Sequence, residues 1–492
     1  MADITALHQT SALLGWDQQT YMPTMGAQSR AMQMEVVSKL AHQMQTDPMT
    51  ERLIFGAESE TSDLDPESDE CAYIRIVRKD FEKSAKVPVE LVADMAKTTA
   101  LAHEAWAKAR AEDNYQTFAP WLSRILDLTK RLAEHLGYEE RIYDALLDQY
   151  EPDMLTSEVE SMFSALKPRS VELIRKIREF GDPSISDEIL RRHFDPEKQK
   201  QFGEQIVQDL GFRSNCGRQD PAVHPFCTTI GTNDVRITTR YEENWLPAAL
   251  FGSIHETGHA LYELGISHTL SGNALGTASS LGVHESQSRF WENLIGRSEP
   301  FWQRYYPKLQ QTFPDSLGSV DLSEFFRSIN KVTPSLIRVE ADELTYNMHT
   351  LLRFELENDL LEGDLTVEDA PDAWNAKMEE YLGVMPPSDR LGILQDVHWS
   401  SGGIGYFPTY SIGNILSVQL WNKMDSDLGH NTNDLILKGD FVSIVEWLRT
   451  NIHQWGRRYS PTELTKRITG EGLNALPYLN YLEQKFGKLY GV

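Results

Sequence analysis

The stretch Ser253-Ile254-His255-Glu256-Thr257-Gly258-His259-Ala260-Leu261-Tyr262 decides how this chain is read. Residues four apart on an α-helix lie on one face, one turn apart. As a helix, the stretch offers the imidazoles of His255 and His259 to a single metal ion. It also sets Glu256 beside them, where it can take a proton from a metal-bound water. Local signals favour the helix: Pro247 suits a first turn, no proline falls between Ala248 and Leu264, and Gly265 suits the stop. The bland alternative is a core helix that carries two histidines by coincidence.

Composition narrows the setting. The 492 residues are 40% hydrophobic and 24% charged, an ordinary globular balance. A formal charge of −26 argues against nucleic acid, whose binding needs basic patches, and against anionic membrane surfaces. Cys71, Cys216 and Cys227 are too few and too scattered for a disulfide framework or a cysteine metal site, and read as reduced thiols. The start Met1-Ala2-Asp3-Ile4-Thr5 carries no secretory signal, and no run of about 18 apolar residues is present to span a membrane. The expectation is a soluble cytoplasmic protein.

Outward from the histidine stretch, the pattern is helical almost everywhere. Phe118, Leu122, Ile125, Leu132 and Leu136 recur at helical steps ahead of Gly137, while residues 56–70 are acidic, contain Pro66 and read as a loop. Just upstream of the histidines, residues 226–230 and 235–240 are β-branched or alternating, and Gly231-Thr232-Asn233-Asp234 is turn chemistry. This predicts a β-hairpin immediately before the metal helix, whose edge could hold an extended peptide as a further strand or could be purely structural. Residues 267–282 read as a loop, and a second helix is predicted over 283–296. Further helices run through residues 325–361, interrupted at Pro334. Residues 402–413 form a Gly- and Tyr-rich loop, and the C-terminal portion is helical again. The fold class is mainly α with a small β element.

A catalytic zinc usually has three protein ligands and an open position. Glu263, His268, His284 and Glu285 are the nearby candidates for the third. Glu263 sits one turn too far along a straight helix. His268 would need a His-x-x-Gly-x-x-His pattern, yet Tyr262 and Ile266 stand where its glycine and third histidine should be. Spacing leaves Glu285 and His284 both open, on a helix that can pack antiparallel to the first.

His255-Glu256-Thr257-Gly258-His259 followed by His284-Glu285-Ser286-Gln287-Ser288-Arg289 resembles the thermostable zinc carboxypeptidases of the carboxypeptidase Taq family. The resemblance extends, in the family's order, over Leu14-Gly15-Trp16-Asp17-Gln18, Tyr143-Asp144-Ala145-Leu146-Leu147-Asp148, His224-Pro225-Phe226 and Asp234-Val235-Arg236-Ile237-Thr238. It continues through Ile337-Arg338-Val339-Glu340-Ala341-Asp342 and Gly392-Ile393-Leu394-Gln395-Asp396-Val397-His398-Trp399. One departure is the start, which is shorter than in the family's usual members by about one helix.

The resemblance implies one catalytic domain over residues 1–492, a helical ellipsoid whose two lobes flank a deep groove, similar to neurolysin and angiotensin-converting enzyme. It implies a homodimeric metallocarboxypeptidase of broad specificity that releases single residues from peptides with a free C-terminus. It also favours Glu285 over His284 as third ligand, with His284 packing or bonding nearby. The native metal stays open, because two histidines and a carboxylate suit cobalt or manganese as well as zinc.

Within that reading Glu256 is the base, and His398 with Tyr406 or Tyr410 are candidates to stabilise the oxyanion. Arg338 and Arg236 are candidates for the substrate carboxylate, since a guanidinium fork suits it, although pairing with Asp342 or Asp234 would serve structure instead. His224 is a candidate for the substrate backbone, and Asp342 for orienting a ligand histidine. Two other readings stand beside this one: an endo-acting oligopeptidase of thimet oligopeptidase type, and a helical protein with a non-catalytic metal site.

Overall fold

The computed structural model describes all residues from Met1 to Val492. It is 69% helical with one small three-stranded sheet, the mainly α class expected. No helix is long and apolar enough to cross a membrane. The chain forms two compact units. The first comprises residues 1–84, 185–329 and 417–472, and the second residues 85–184, 330–416 and 473–492.

The first unit is built around the sheet and the histidine helix. Its N-terminal helices α1 (Ala2–Thr20) and α2 (Ala27–Gln45) pack on each other as a hairpin. The strands are β1 (Gly217–Pro221), β2 (Cys227–Gly231) and β3 (Asp234–Thr239), in the order β1-β3-β2. β2 and β3 are the antiparallel hairpin that the sequence predicts, turning at Thr232-Asn233, with Asn233 left-handed at φ 61°. β1, running parallel to β3, is an addition. Its Gly-Arg-Gln-Asp-Pro sequence lacks alternation and β-branched residues, so no strand signal exists to be read.

One face of β3 presents Val235 and Ile237 to Val207, Phe212 and Ala260, the core that seats the histidine helix on the sheet. On the alternate position, Arg236 stacks over the Trp16 ring of α1, 4.3 Å from its centroid, and Arg218 approaches the same ring at 5.2 Å. The N-terminal Trp16-Asp17-Gln18 segment thus seats α1 against the sheet.

Helix α3 (Leu246–Gly265) begins with Pro247 in its first turn, as predicted. The helix stops at Gly265, as expected, and the glycine has a second use: a Cβ there would lie 2.5 Å from the His453 ring, so its smallness admits that ring. Helix α4 (Leu281–Arg289) follows the predicted loop, but the helix expected over 283–296 changes type. Phe290–Gly296 is a π-helix. α3 and α4 approach backbone to backbone at Gly258, where a Cβ would meet the Gln287 carbonyl oxygen at 2.5 Å and Ser288 Cα at 2.7 Å. Only glycine permits this approach.

The second unit packs Val89–Glu112 on Ala119–Leu136, and Tyr346–Glu362 on Ala370–Leu382. Its helix Thr156–Phe180 packs on Ala475–Tyr490. Leu122 and Ile125 of the predicted stripe are fully buried.

Two loop expectations are corrected. Residues 56–61 are the end of helix Pro48–Thr61, which Asp47 caps through Met49 N, and the loop is confined to residues 62–68. Residues 409–413 belong to helix Pro408–Asp427, because Pro408 starts a helix as readily as it ends a loop.

Gly258→Ala should lower the free energy of unfolding by about 1–3 kcal/mol, the usual cost of overpacking. Denaturant titration checks this, and an unchanged midpoint would mean that the two helices separate freely.

Candidate active site

His255 and His259 project from one face of α3, their rings 4.9 Å apart, and Glu285 meets them from α4. Glu285 Oε2 lies 3.6 Å from His255 Nε2 and 3.4 Å from His259 Nε2. Donor atoms at zinc–ligand distances around a tetrahedral ion are about 3.3–3.6 Å apart, so the three fit a single cation. His255, His259 and Glu285 are the one group of three or more such side chains placed to hold a metal.

The electrostatics point the same way. Burial opposes a proton on His255, but Glu285 and Glu292 outweigh it and raise the imidazole's pKa. Burial would also raise Glu285, yet Arg289 and the two histidines hold it well below the usual carboxylate range. Burial, with His284 nearby, lowers His259 to about 3, which keeps that ring a neutral donor. Burial pushes Glu256, next to His255, up to about 7.

Each of these three side chains has a partner that aims it. His255 Nδ1 lies 2.9 Å from Glu292 Oε2, to which it donates when Nε2 faces the site. Glu292 is gripped by Arg289 at 3.1 Å and Arg297 at 3.2 Å. Arg289 Nε also donates to Glu285 Oε1 at 2.6 Å, while Ser288 Oγ donates to Oε2 at 2.9 Å. His284 turns Nδ1 to His259 Nδ1 and Nε2 to Glu263 Oε1, the latter at 2.9 Å.

The orienting carboxylate is therefore Glu292, and Asp342 does other work. In the second unit, Asp342 accepts from the backbone of Thr333, Leu344 and Thr345 ahead of helix Tyr346–Glu362. Glu292 stands two turns beyond Glu285, a spacing that marks one helix face, and this is the signal that could have found it. Arg289, four residues after Glu285, carries the same signal.

Of the other expected residues in the first unit, Arg236 is paired by both fork positions with Asp234, at 2.9 and 2.8 Å. His224 is exposed on the connection from β1 to β2.

The second unit gathers the rest around Asp396. Its carboxylate takes both fork nitrogens of Arg338, at 2.9 and 2.8 Å, and Arg353 at 2.6 Å. Burial would raise Asp396, but the two guanidiniums hold it well below the carboxylate range. Arg338 also donates to Tyr346 Oη at 2.6 Å, so its partner is Asp396 and not Asp342. His398 Nδ1 is 3.5 Å from Asp396 Oδ1, and the His398 ring lies 5.2 Å from that of Tyr406, which edges onto Tyr410 at 5.3 Å. Gln395 Oε1 accepts from Arg338 N at 2.8 Å, which joins the Ile-Arg and Gln-Asp-x-His segments directly. Glu357 accepts from Tyr143 at 2.7 Å, Trp399 at 2.8 Å and Gly405 N at 3.1 Å, tying in the Tyr143-Asp144 segment.

The sequence profile of the carboxypeptidase Taq (M32) metallopeptidase family matches residues 1–486. The chain belongs to this family. "Thermostable carboxypeptidase 1" of Thermus thermophilus is 42% identical over 99% of this chain and 96% of its own. "Carboxypeptidase 1" of Bacillus subtilis is 38% identical over 99% and 96%. Among solved structures, the M32 carboxypeptidase from Deinococcus radiodurans superimposes with a TM-score of 0.96 at 41% identity, covering 100% of this chain and 98% of that one. The family is one of carboxypeptidases that require a metal ion, so the chain is a peptide hydrolase acting on peptides, with the His-His-Glu cluster available for the ion. The endopeptidase and non-catalytic readings lose their ground with that assignment.

His453, fully buried with its Nε2 2.8 Å from Gln287 Oε1, packs beside Tyr262, and burial lowers its pKa to about 3. A histidine kept neutral in the fold, with a free-chain pKa near 6.5, contributes stability that is complete above 6.5 and is lost as pH falls. Glu357, raised to about 7 by burial, acts in the opposite sense, so the check is a difference. Between pH 7 and 5 the wild type should lose about 2 kcal/mol relative to His453→Gln. Parallel urea-unfolding profiles would exclude neutral burial.

Proposed function

We propose that this M32 metallocarboxypeptidase removes single residues from peptide C-termini with zinc, held by His255, His259 and Glu285, and with Glu256 as the base. The observation that carries the reading is the gathering of the three donors within 4.8 Å of one another next to the buried Glu256 carboxylate. Cobalt or manganese would replace zinc at such a donor set. When bound, the cation supplies polarisation of the scissile carbonyl and acidifies a water molecule.

The residues of this chain do the rest. Glu256, raised to about 7 by burial, can accept the proton of the attacking water near neutral pH and deliver it to the leaving amine. A cation nearby would lower that value and leave Glu256 ready as a base. Arg289 keeps Glu285 anionic for ligation. His398, Tyr406 and Tyr410 are proposed donors to the oxyanion, supported by their grouping around an ordered Asp396.

For the substrate carboxylate, Arg338 has its fork occupied by Asp396 and its remaining amino group by Tyr346. Arg236 has Nε and Nη2 paired with Asp234 and its plane stacked on Trp16, which leaves Nη1 and favours it for this role. His224, exposed near the hairpin, is proposed for the peptide backbone. Broad specificity and a homodimer belong to the reading on family likeness alone, and a cytoplasmic location on the few, unpaired cysteines.

Glu256→Gln should keep metal stoichiometry while kcat falls about 10²–10⁴-fold, the usual contribution of a general base. Full turnover by this variant would exclude Glu256 as the base. A peptide with an amidated C-terminus should resist hydrolysis where its free-acid twin is trimmed residue by residue. Equal cleavage of the two, followed by mass spectrometry, would sink the exopeptidase assignment.

A further inference from the structure

We propose that Glu263 and His284 are a positioning pair that fixes the tautomer and direction of His259 for the cation. The inference rests on reading His259 as a ligand. His284 has both ring nitrogens engaged, Nδ1 by His259 Nδ1 and Nε2 by Glu263 Oε1 at 2.9 Å. It therefore has no lone pair left to ligate the ion itself. Its ring stacks on His259 with centroids 4.4 Å apart and 28° between planes, and Tyr262 packs beside it at 5.4 Å.

The proton positions follow from these contacts. Glu263, an acceptor, takes the hydrogen of His284 Nε2. His284 Nδ1 is then a lone pair, which takes the hydrogen of His259 Nδ1. His259 Nε2, 3.4 Å from Glu285 Oε2, is left as the lone pair that faces the ion. For a His284 ring that carries one hydrogen, each link permits one arrangement only, and the pair then excludes the tautomer that could not bind. Hydrogen bonding also lets the carboxylate absorb part of the charge that His259 gains on ligation, which raises its basicity as a donor.

The two ligand histidines are thus held by unlike devices. Glu292 acts directly on His255, under two arginines. Glu263 acts on His259 through the intervening His284 ring. Glu263 also lines a cavity of about 450 Å³ together with Ile4, His8, Asn233 and Arg457.

The test measures Zn²⁺ affinity of the full chain at one pH by competition with a chromophoric chelator, with metal-free melting as the control for folding. His284→Phe, which keeps a stacked ring without nitrogens, and Glu263→Leu should each weaken binding about 10–100-fold. Because the two act in series, the double variant should be no weaker than His284→Phe alone. His284→Gln, able to accept at oxygen and donate at nitrogen, should recover part of the loss.

Wild-type affinity in His284→Phe, or a double-variant loss equal to the product of the single losses, would overturn the pair. If His284→Phe does not fold, Glu263→Leu against Glu263→Gln decides, since glutamine still accepts from His284; equal affinities would overturn the pair. His259→Ala separates the two readings. Wild-type affinity there removes His259 as a ligand, whereas its loss alongside normal binding in His284→Phe removes only the positioning role.

Discussion

The site depends on how closely two helices are allowed to approach. His255 and His259 come from one, and Glu285 from the other. Donors from separate helices can share an ion only if the axes are drawn together by more than ordinary side-chain packing allows. Gly258 provides this, because its missing Cβ lets α3 rest on the backbone of Gln287 and Ser288, within two and three residues of Glu285. Gln287 then holds His453, whose ring fills the space that Gly265 leaves open. Two glycines and one buried imidazole thus hold the middle and the end of the helix that carries both ligands.

The polar framework of the second unit follows a different logic. Arg338 and Arg353 are almost wholly buried, and a buried guanidinium persists only where its charge is answered. Asp396 answers both, Gln395 bonds to both, and His398 is two residues further along the same segment. Residues far apart in sequence are therefore locked by one short run. This accounts physically for two distant motifs occurring together: neither arginine could stay buried without the Gln-Asp pair.

Much of this was legible in the sequence. The histidine helix, the hairpin before it and the loop after it needed only periodicity and turn chemistry; spacing left Glu285 and His284 both open, and the family resemblance favoured Glu285, which the fold groups with the two histidines. What escaped was information that lives between elements. Arg297 and Glu263 act on groups one or more turns away or on a neighbouring helix, and their roles depend on register that no single segment contains, whereas the helical spacing of Arg289 and Glu292 from Glu285 stood in the sequence unread. β1 escaped because its strand character comes from pairing with β3 and not from its own residues. The start of helix Pro408–Asp427 escaped because glycine and tyrosine look like loop until burial outweighs propensity.

The π-helical segment Phe290–Gly296 places a constraint of another kind on the chain. A π turn closes its hydrogen bonds over one residue more than an α turn, so it holds, in effect, one extra residue in a helix that would otherwise continue regularly. Glu292 lies inside it and Arg297 just beyond, and both face the same carboxylate–imidazole contact. Removing one residue would let the stretch rewind as regular α-helix, closing the wide turn from which Glu292 reaches His255. Ordinary substitutions leave that count untouched. What this segment must conserve is its length.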